Sequence, residues 1–348
     1  MQEQLEKYLK RKVNEKVFPG CAYYIYCDNE EYIGCVGNKS IIPNIEKNSI
    51  DTLYDIASLS KLLVTNLLIS ILLQEDRIKL DDKVIDYLPK FKYDNVLILH
   101  LLTHSSGIKV LYDKNSIKSK DDFYTNIELE YNPGGYAKYS DINFILLGFI
   151  IENIYGESLD VLARKYIFSK LDMNDTTYNP KDKYLCAPTE IIDNNLLQGI
   201  VDDEKARYLN GVSGNSGVFS TIKDISHFIK LILNDGYYNG KKIIDKKYID
   251  LWFTPLFIDN EDVRRTIGWA YGKSSFLCNK FCSDDTIVHT SFTGCHIVID
   301  RANELGIVIL SNRIHPTRDN TKLLKERANI NNYIYKLLVS YGKIYQVI

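Results

Sequence analysis

Residues 61–74 read KLLVTNLLISILLQ, and a helix built from them is apolar on nearly every face. A surface helix shows one apolar stripe, whereas a helix that is apolar all round belongs inside a core. The chain therefore has to fold around this segment. Immediately before it stands Ser58-Leu59-Ser60-Lys61. Residues three apart in a helix share a face, so the Ser58 hydroxyl and the Lys61 amine are expected side by side, walled by leucines. A desolvated amine beside a serine hydroxyl is one of the few ways to activate that hydroxyl without a histidine triad. A helix start would also bring backbone N–H groups and the positive dipole end close to Ser58.

The flanking segments predict how the burial is achieved. Residues 4–16 read as a helix. Residues 21–27 and 31–36, rich in Tyr, Ile and Val on either side of Asp28-Asn29, read as a β-hairpin. Further helices are expected over 143–155 and 221–234. In the latter, Ile222, Ile225, Phe228, Ile229 and Ile232 form a stripe, Thr221 with Asp224 resembles a capping box, and Gly236 is a stop. Residues 286–292, 295–300 and 306–310 read as short strands, and 322–341 as a closing helix. Strands at both ends with helices between predict an α+β fold. Residues 1–57 and 220–348 supply an antiparallel sheet flanked by terminal helices, and 58–219 form an inserted, mainly helical region. A site is expected at the seam between them.

Composition narrows the function. With 348 residues, 45% of them hydrophobic, the chain can bury a large core. A net charge of −2 gives no reason to expect nucleic acid or an anionic membrane as partner. No apolar run is expected to reach membrane-spanning length. The start, Met1-Gln2-Glu3-Gln4, lacks a hydrophobic signal region, so the expected location is cytoplasmic. The seven cysteines then read as reduced thiols, and Cys278 and Cys282, the closest pair, are not expected to hold a metal.

Two more stretches carry chemistry. Tyr139-Ser140-Asp141 follows the turn-rich Asn132-Pro133-Gly134-Gly135 and belongs on a loop. From there Tyr139 can take the Ser58 proton or protonate a leaving group. His289-Thr290-Ser291-Phe292-Thr293-Gly294 lies on a predicted strand whose edge can offer a backbone N–H to an oxyanion. Arg313, just past the last strand, can place a cation near a cleft, while His104 reads as structural. Residues 214–221 lack the lysine and spacing of a phosphate-binding loop.

In this order the motifs resemble those of the class C β-lactamase and penicillin-binding protein-like serine hydrolase family, esterase members included. Ser58-x-x-Lys61 is similar to its first motif and Tyr139-Ser140-Asp141 to its Tyr-x-Asn motif. His289-Thr290-Ser291 stands in the place of Lys-Thr-Gly, which many esterase-like members write His-Thr-Gly. Phe18-Pro19-Gly20, Leu80-Asp81-Asp82, Tyr87-Leu88-Pro89 and Gly217-Val218-Phe219-Ser220-Thr221 match as well, so the resemblance runs from about residue 5 to about 340. It implies a serine β-lactamase-like fold and a metal-free, cofactor-free enzyme that acylates Ser58. The catalytic residues would be Ser58, Lys61 and Tyr139. The oxyanion hole would use the N–H groups of Ser58 and Phe292. Substrate contacts would come from Asp141, His289, Thr290, Ser291 and Arg313.

Two departures shape the expected specificity. Asp141 replaces an amide and Ser291 a glycine. Lysine and tyrosine both start near a pKa of ~10, and burial lowers the first while raising the second. Lys61 and Tyr139 are therefore expected to share a proton as a coupled pair, with an ionised Asp141 favouring Tyr139 as acceptor. A histidine at 289 is mostly neutral near pH 7, unlike a lysine able to hold a substrate carboxylate. Esterase-like turnover of a small ester or amide is thus expected ahead of D-amino-acid peptidase, penicillin-binding or weak β-lactamase activity. Arg313 would restore a cation and favour the peptidase. A non-catalytic ligand-binding or scaffold relative is the remaining alternative, and it has no need of Ser58, Lys61 and Tyr139 together.

Overall fold

The computed structural model describes residues 1–109, 119–260, 263–272 and 281–344. It begins with helix α1 (Gln2–Asn14) and the hairpin of β1 (Gly20–Cys27) and β2 (Glu30–Ser40). Asp28 and Asn29 at the hairpin tip have φ of 54° and 58°, the left-handed pair that a two-residue turn requires. A short β3 (Glu46–Lys47) follows, and β4 (Tyr54–Asp55) leads into the helical region. That region contains α2 (Leu67–Gln74), α3 (Asp141–Tyr155) and β5 (Thr177–Tyr178). It ends at β6 (Val218–Ser220), which pairs with both β4 and β5 and sets Tyr54 opposite Ser220. The chain therefore returns to the sheet layer where it left.

Helix α4 (Ile222–Leu233) comes next, then β7 (Phe257–Asn260), β8 (Val263–Arg265), β9 (Ala270–Tyr271), β10 (Thr286–Thr290), β11 (His296–Asp300) and β12 (Leu305–Ser311), and finally α5 (Lys322–Ser340). Among the described residues the main sheet has nine antiparallel strands in the order β7-β8-β9-β10-β11-β12-β1-β2-β3. Its central strands are buried on both faces. Ala22 and Tyr24 of β1, with Val308 and Leu310 of β12, join the core shared with the helical region. Cys21, Tyr23 and Ile25, with Ile307 and Ile309, face the other way against Leu5 and Leu9 of α1 and Ile330, Ile334 and Leu338 of α5. The two-residue period of a strand sends alternate side chains into two cores.

The apolar segment is buried as expected, but it is not one regular helix. Ala57–Leu59 is a 3₁₀ turn, Lys61–Asn66 is π-helical, and α2 completes it. The widened turns begin at Lys61, whose amine meets three acceptors at once. Ala57–Gln74 spans 18 residues at a mean hydropathy of 1.5, long and apolar enough to cross a membrane. This corrects the expectation drawn from run length. The segment is nevertheless 89% buried inside the protein.

Two local expectations also need correction. The strand expected over 286–292 stops at Thr290. Ser291 Oγ accepts the Cys295 N–H at 3.0 Å, and Gly294 has φ +130°, so the chain turns there instead of extending. A Cβ on Gly294 would come within 3.0 Å of Arg313 N and Ser311 O. At α4, Thr221 Oγ1 accepts the Asp224 N–H at 3.2 Å, but the Asp224 carboxylate does not reach back to complete a capping box. Its Oδ2 instead accepts the N–H groups of Asp175 and Thr176, tying α4 to the loop before β5.

Candidate active site

Asp55 on β4 pins the turn that carries Ser58. Its carboxylate, 2% exposed, accepts the Ala57 N–H at 2.9 Å and the Asp202 N–H at 2.7 Å. Its carbonyl accepts Thr293 Oγ1–H at 2.8 Å. Ala57 is held at φ +45°, a conformation that costs a non-glycine residue ~1–2 kcal/mol. The surrounding bonds offset that strain and set Ser58 at the opening of the cleft.

Lys61 is fully buried and uses every ammonium proton. Its Nζ donates to Ser58 Oγ at 3.0 Å, to Asp141 Oδ1 at 2.8 Å and to Asn215 O at 3.0 Å. Burial pulls its pKa down, but the Asp141 carboxylate and the Tyr139 phenol outweigh that, and the net shift is upward. The amine is therefore held as an ammonium. Asp141 N-terminates α3, and its second oxygen meets Lys205 Nζ at 3.1 Å. Burial raises the Asp141 carboxyl, and the two lysines more than reverse this. Lys205 also meets Asp203 at 3.3 Å, Asn215 Nδ2 donates to Asp203 Oδ1 at 3.1 Å, and Asn215 O receives Lys61. Alternating charges thus close into a ring around the Lys61 ammonium. Asp141 was expected to touch substrate. It lines the cleft, and both of its oxygens are engaged by ammonium groups.

Tyr139 reaches Ser58 from the loop before α3. Its hydroxyl lies 2.9 Å from Ser58 Oγ, and Lys61 Nζ lies 5.1 Å from its ring centroid. Burial raises the phenol, and the Lys61 charge offsets part of the rise. His104 packs its ring 4.5 Å from Tyr139 and accepts the Ser140 N–H at Nδ1, 3.3 Å away. It is a structural prop, as its sequence context suggested.

The end of β10 also lines the cleft, with the His289 ring 6.1 Å from that of Tyr139. His289 is buried, and its pKa falls to about 3 through burial first and then the Lys61 and Arg265 charges. It is neutral, as expected. Its Nδ1 has no hydrogen-bond partner among the described residues. Thr290 lines the cleft with it. Ser291, expected to contact substrate, lines the cleft, and its hydroxyl accepts Cys295 N–H and lies 3.0 Å from Thr293 Oγ1. Phe292 sits in the turn, 46% exposed. Neither the Ser58 nor the Phe292 N–H has an acceptor within the described residues. Arg313 does line the cleft. It donates Nη1 to Asn320 O at 2.7 Å and stacks 4.9 Å from the Phe292 ring.

Three functional candidates escaped the sequence reading. Lys205 reaches the site from a short helix, Glu204–Tyr208. Arg265 projects from β8 into the cleft, and no carboxylate pairs with it among the described residues. Arg327 arrives from α5. The cleft has a volume of about 610 Å³ and is lined by Ser58, Tyr139, Lys205, Arg265, His289 and Phe292. The expected Cys278–Cys282 pair lies partly outside the described residues, and Cys282 is buried.

Comparison with known proteins follows the same lines. The family model described as Beta-lactamase matches residues 5–332. The chain is 31% identical over 305 residues to the N-acetylmuramyl-L-alanine amidase of Bacillus subtilis, covering 76% of this chain and 68% of that one. It is 33% identical over 337 residues to a Salmonella agona protein named "Putative D-alanyl-D-alanine carboxypeptidase", covering 84% and 76%. Two solved structures share the fold. One is the octameric penicillin-binding protein homologue from Pyrococcus abyssi, with TM-score 0.74, 22% identity and coverage of 98% of this chain and 77% of that one. The other is a class C beta-lactamase, with TM-score 0.79, 17% identity and 95% of both chains covered.

Proposed function

This chain belongs to the Beta-lactamase family, and on that premise we propose that it is a serine amidohydrolase that acylates Ser58 and cleaves a peptide or amide bond next to a residue with a free carboxylate. The observation that carries the chemistry is the Ser58 hydroxyl, 2.9 Å from the Tyr139 phenol and 3.0 Å from an ammonium that Asp141 keeps charged. Lys61 has no lone pair to accept a proton in that state. Tyr139, once ionised to the phenolate, is then the acceptor, and the Lys61 charge stabilises that ionised form.

The steps follow from these positions. The reactive form carries Tyr139 as the phenolate, and in it Ser58 Oγ attacks the carbonyl carbon as its proton passes to Tyr139 Oη. The carbonyl oxygen, now negative, is received by the N–H groups of Ser58 and Phe292, each typically worth about 3–4 kcal/mol. Tyr139 returns the proton to the leaving nitrogen and the C–N bond breaks. Water then attacks the ester at Ser58 by the same route in reverse and frees the acid.

Arg265 supports a carboxylate in the leaving group. The neutral His289 cannot supply a cation, but a guanidinium with no carboxylate partner among the described residues stands in the same cleft and interacts electrostatically with both His289 and Tyr139. One relative is named as an N-acetylmuramyl-L-alanine amidase and the other as a putative D-alanyl-D-alanine carboxypeptidase, and the second name is in keeping with such a substrate. The neutrality of His289 favours a second reading, turnover of neutral esters.

A comparison of kcat/KM separates the two. Peptides ending in D-alanyl-D-alanine are assayed as the free acid and as the methyl ester, beside a p-nitrophenyl ester. The proposal expects the free acid to be preferred and Arg265→Met to remove the preference. A wild-type preference for the neutral esters would overturn the peptidase reading in favour of the esterase.

A further inference from the structure

Helix α5 packs on the sheet through Leu323, Ile330, Ile334 and Leu338, a stripe at helical spacing with every member buried. Arg327 occupies that stripe at a position where the pattern calls for an aliphatic residue, and it is only 5% exposed. Among the described residues no carboxylate pairs with it, and its Nε has no partner. Burial and the neighbouring Arg313 bring its pKa down to about 10, which leaves it charged at neutral pH. A buried, uncompensated cation is among the most costly groups a core can hold. A local rule broken without an evident structural gain marks function.

Among the described residues the guanidinium donates to the Ser291 carbonyl oxygen, which receives its Nη2–H. That oxygen belongs to the peptide unit whose other end is the Phe292 N–H. The 291–292 bond is trans, and in a planar trans peptide C=O and N–H point to opposite sides. Holding the oxygen from the α5 side turns the Phe292 N–H away from α5. The remaining bonds of the turn agree. Ser291 N–H donates to Cys295 O at 2.8 Å and Cys295 N–H to Ser291 Oγ at 3.0 Å, while the Phe292 N–H keeps no internal acceptor.

We infer that Arg327 is a positioning residue for the oxyanion hole: it fixes the 291–292 peptide so that the Phe292 N–H faces the reacting carbonyl, and its charge on the peptide oxygen polarises that N–H into a stronger donor. The inference rests on the oxyanion role given to Phe292 above. Hydrogen bonds in series strengthen one another, and a charged donor strengthens them further. Arg327 thus acts through the backbone, without touching the reacting atoms.

The test compares an aryl ester with its thionoester, whose sulfur is a poor match for an oxyanion hole. Wild-type protein, Arg327→Met, Arg327→Gln and Arg327→Lys are assayed, each checked by thermal melting. We expect wild type to favour the oxygen ester strongly. Arg327→Met should lower kcat for the oxygen ester by about 10–100-fold, with KM little changed and the thionoester much less affected. Arg327→Lys should recover most of the loss, and Arg327→Gln, a neutral donor, should fall between. If Arg327→Met does not fold, the glutamine and lysine variants carry the comparison. Equal losses on both esters, with the ratio kept, would overturn the inference and leave the oxyanion hole standing. A wild type that does not discriminate between the esters would overturn the Phe292 assignment itself and the inference with it.

Discussion

Replacing Asp141 with asparagine tests the electrostatics of the site most sharply, because the change is nearly isosteric and removes one charge. In the wild type Asp141 holds the Lys61 ammonium at 2.8 Å and is itself shared with Lys205 at 3.1 Å. Its negative charge raises the Tyr139 phenol, while Lys61 lowers it. A unit charge roughly 6 Å from the phenol is worth about 3 kcal/mol at an effective dielectric of ~20. That corresponds to ~2 pKa units. Lys205 cancels part of the Asp141 field, so about one unit is expected to remain. The sign follows directly. Without the carboxylate the phenolate is easier to form, and Lys61 loses the partner that keeps it protonated. Either route makes the proton acceptor available at lower pH. The assay is the pH dependence of kcat/KM, whose acidic limb reports the essential base in the free enzyme. Asp141→Asn should move that limb down by about one unit. A limb that stays in place or moves up would refute the reasoning, because Asp141 would then not control the charge on Lys61.

The mirror-image change, Lys205→Met, leaves Asp141 less compensated and should move the same limb up, with little effect on KM. An unmoved limb would show that the Asp203–Lys205 side of the ring has no electrostatic hold on Tyr139. Asp202 offers a stability test. Burial first, then Asp55 and Glu190, raise its pKa to about 7, against ~3.9 in an unfolded chain. A raised carboxyl contributes stability that is present below pH ~4 and lost as pH rises through the folded value, up to about 4 kcal/mol in all. Asp202→Asn should therefore raise the melting temperature at pH 8 and do little at pH 4. Equal shifts at both pH values would contradict the pKa.

What the sequence made legible was mostly local. Asp28-Asn29 demanded a left-handed turn, and the structure places both at positive φ. The apolar run 61–74 had to be buried, and Ser58 with Lys61 shared a face whether the turn was regular or not. The loop tyrosine could be found because its motif carried a resemblance, and the phenol does reach the hydroxyl. The π-helical turns left no periodic signature, since the segment is apolar at every spacing. Ser291 looked like one more strand residue, and its hydroxyl ends the strand by capturing Cys295 N–H. Lys205 and Arg265 were invisible because each comes from an unremarkable charged stretch far along the chain and gains its meaning only in three dimensions. Arg327 did leave a trace. It interrupts the stripe of Leu323, Ile330, Ile334 and Leu338, and a charge in a core stripe could have been singled out from the spacing alone.

Intact-mass and peptide mass spectrometry of the protein treated with a fluorophosphonate tests the central claim most directly, comparing wild type with Tyr139→Phe. The account predicts a single adduct on Ser58 and a labelling rate at least ~10²-fold slower once the phenol's proton acceptor is gone. An adduct on another residue, or equal rates in the two proteins, would contradict it.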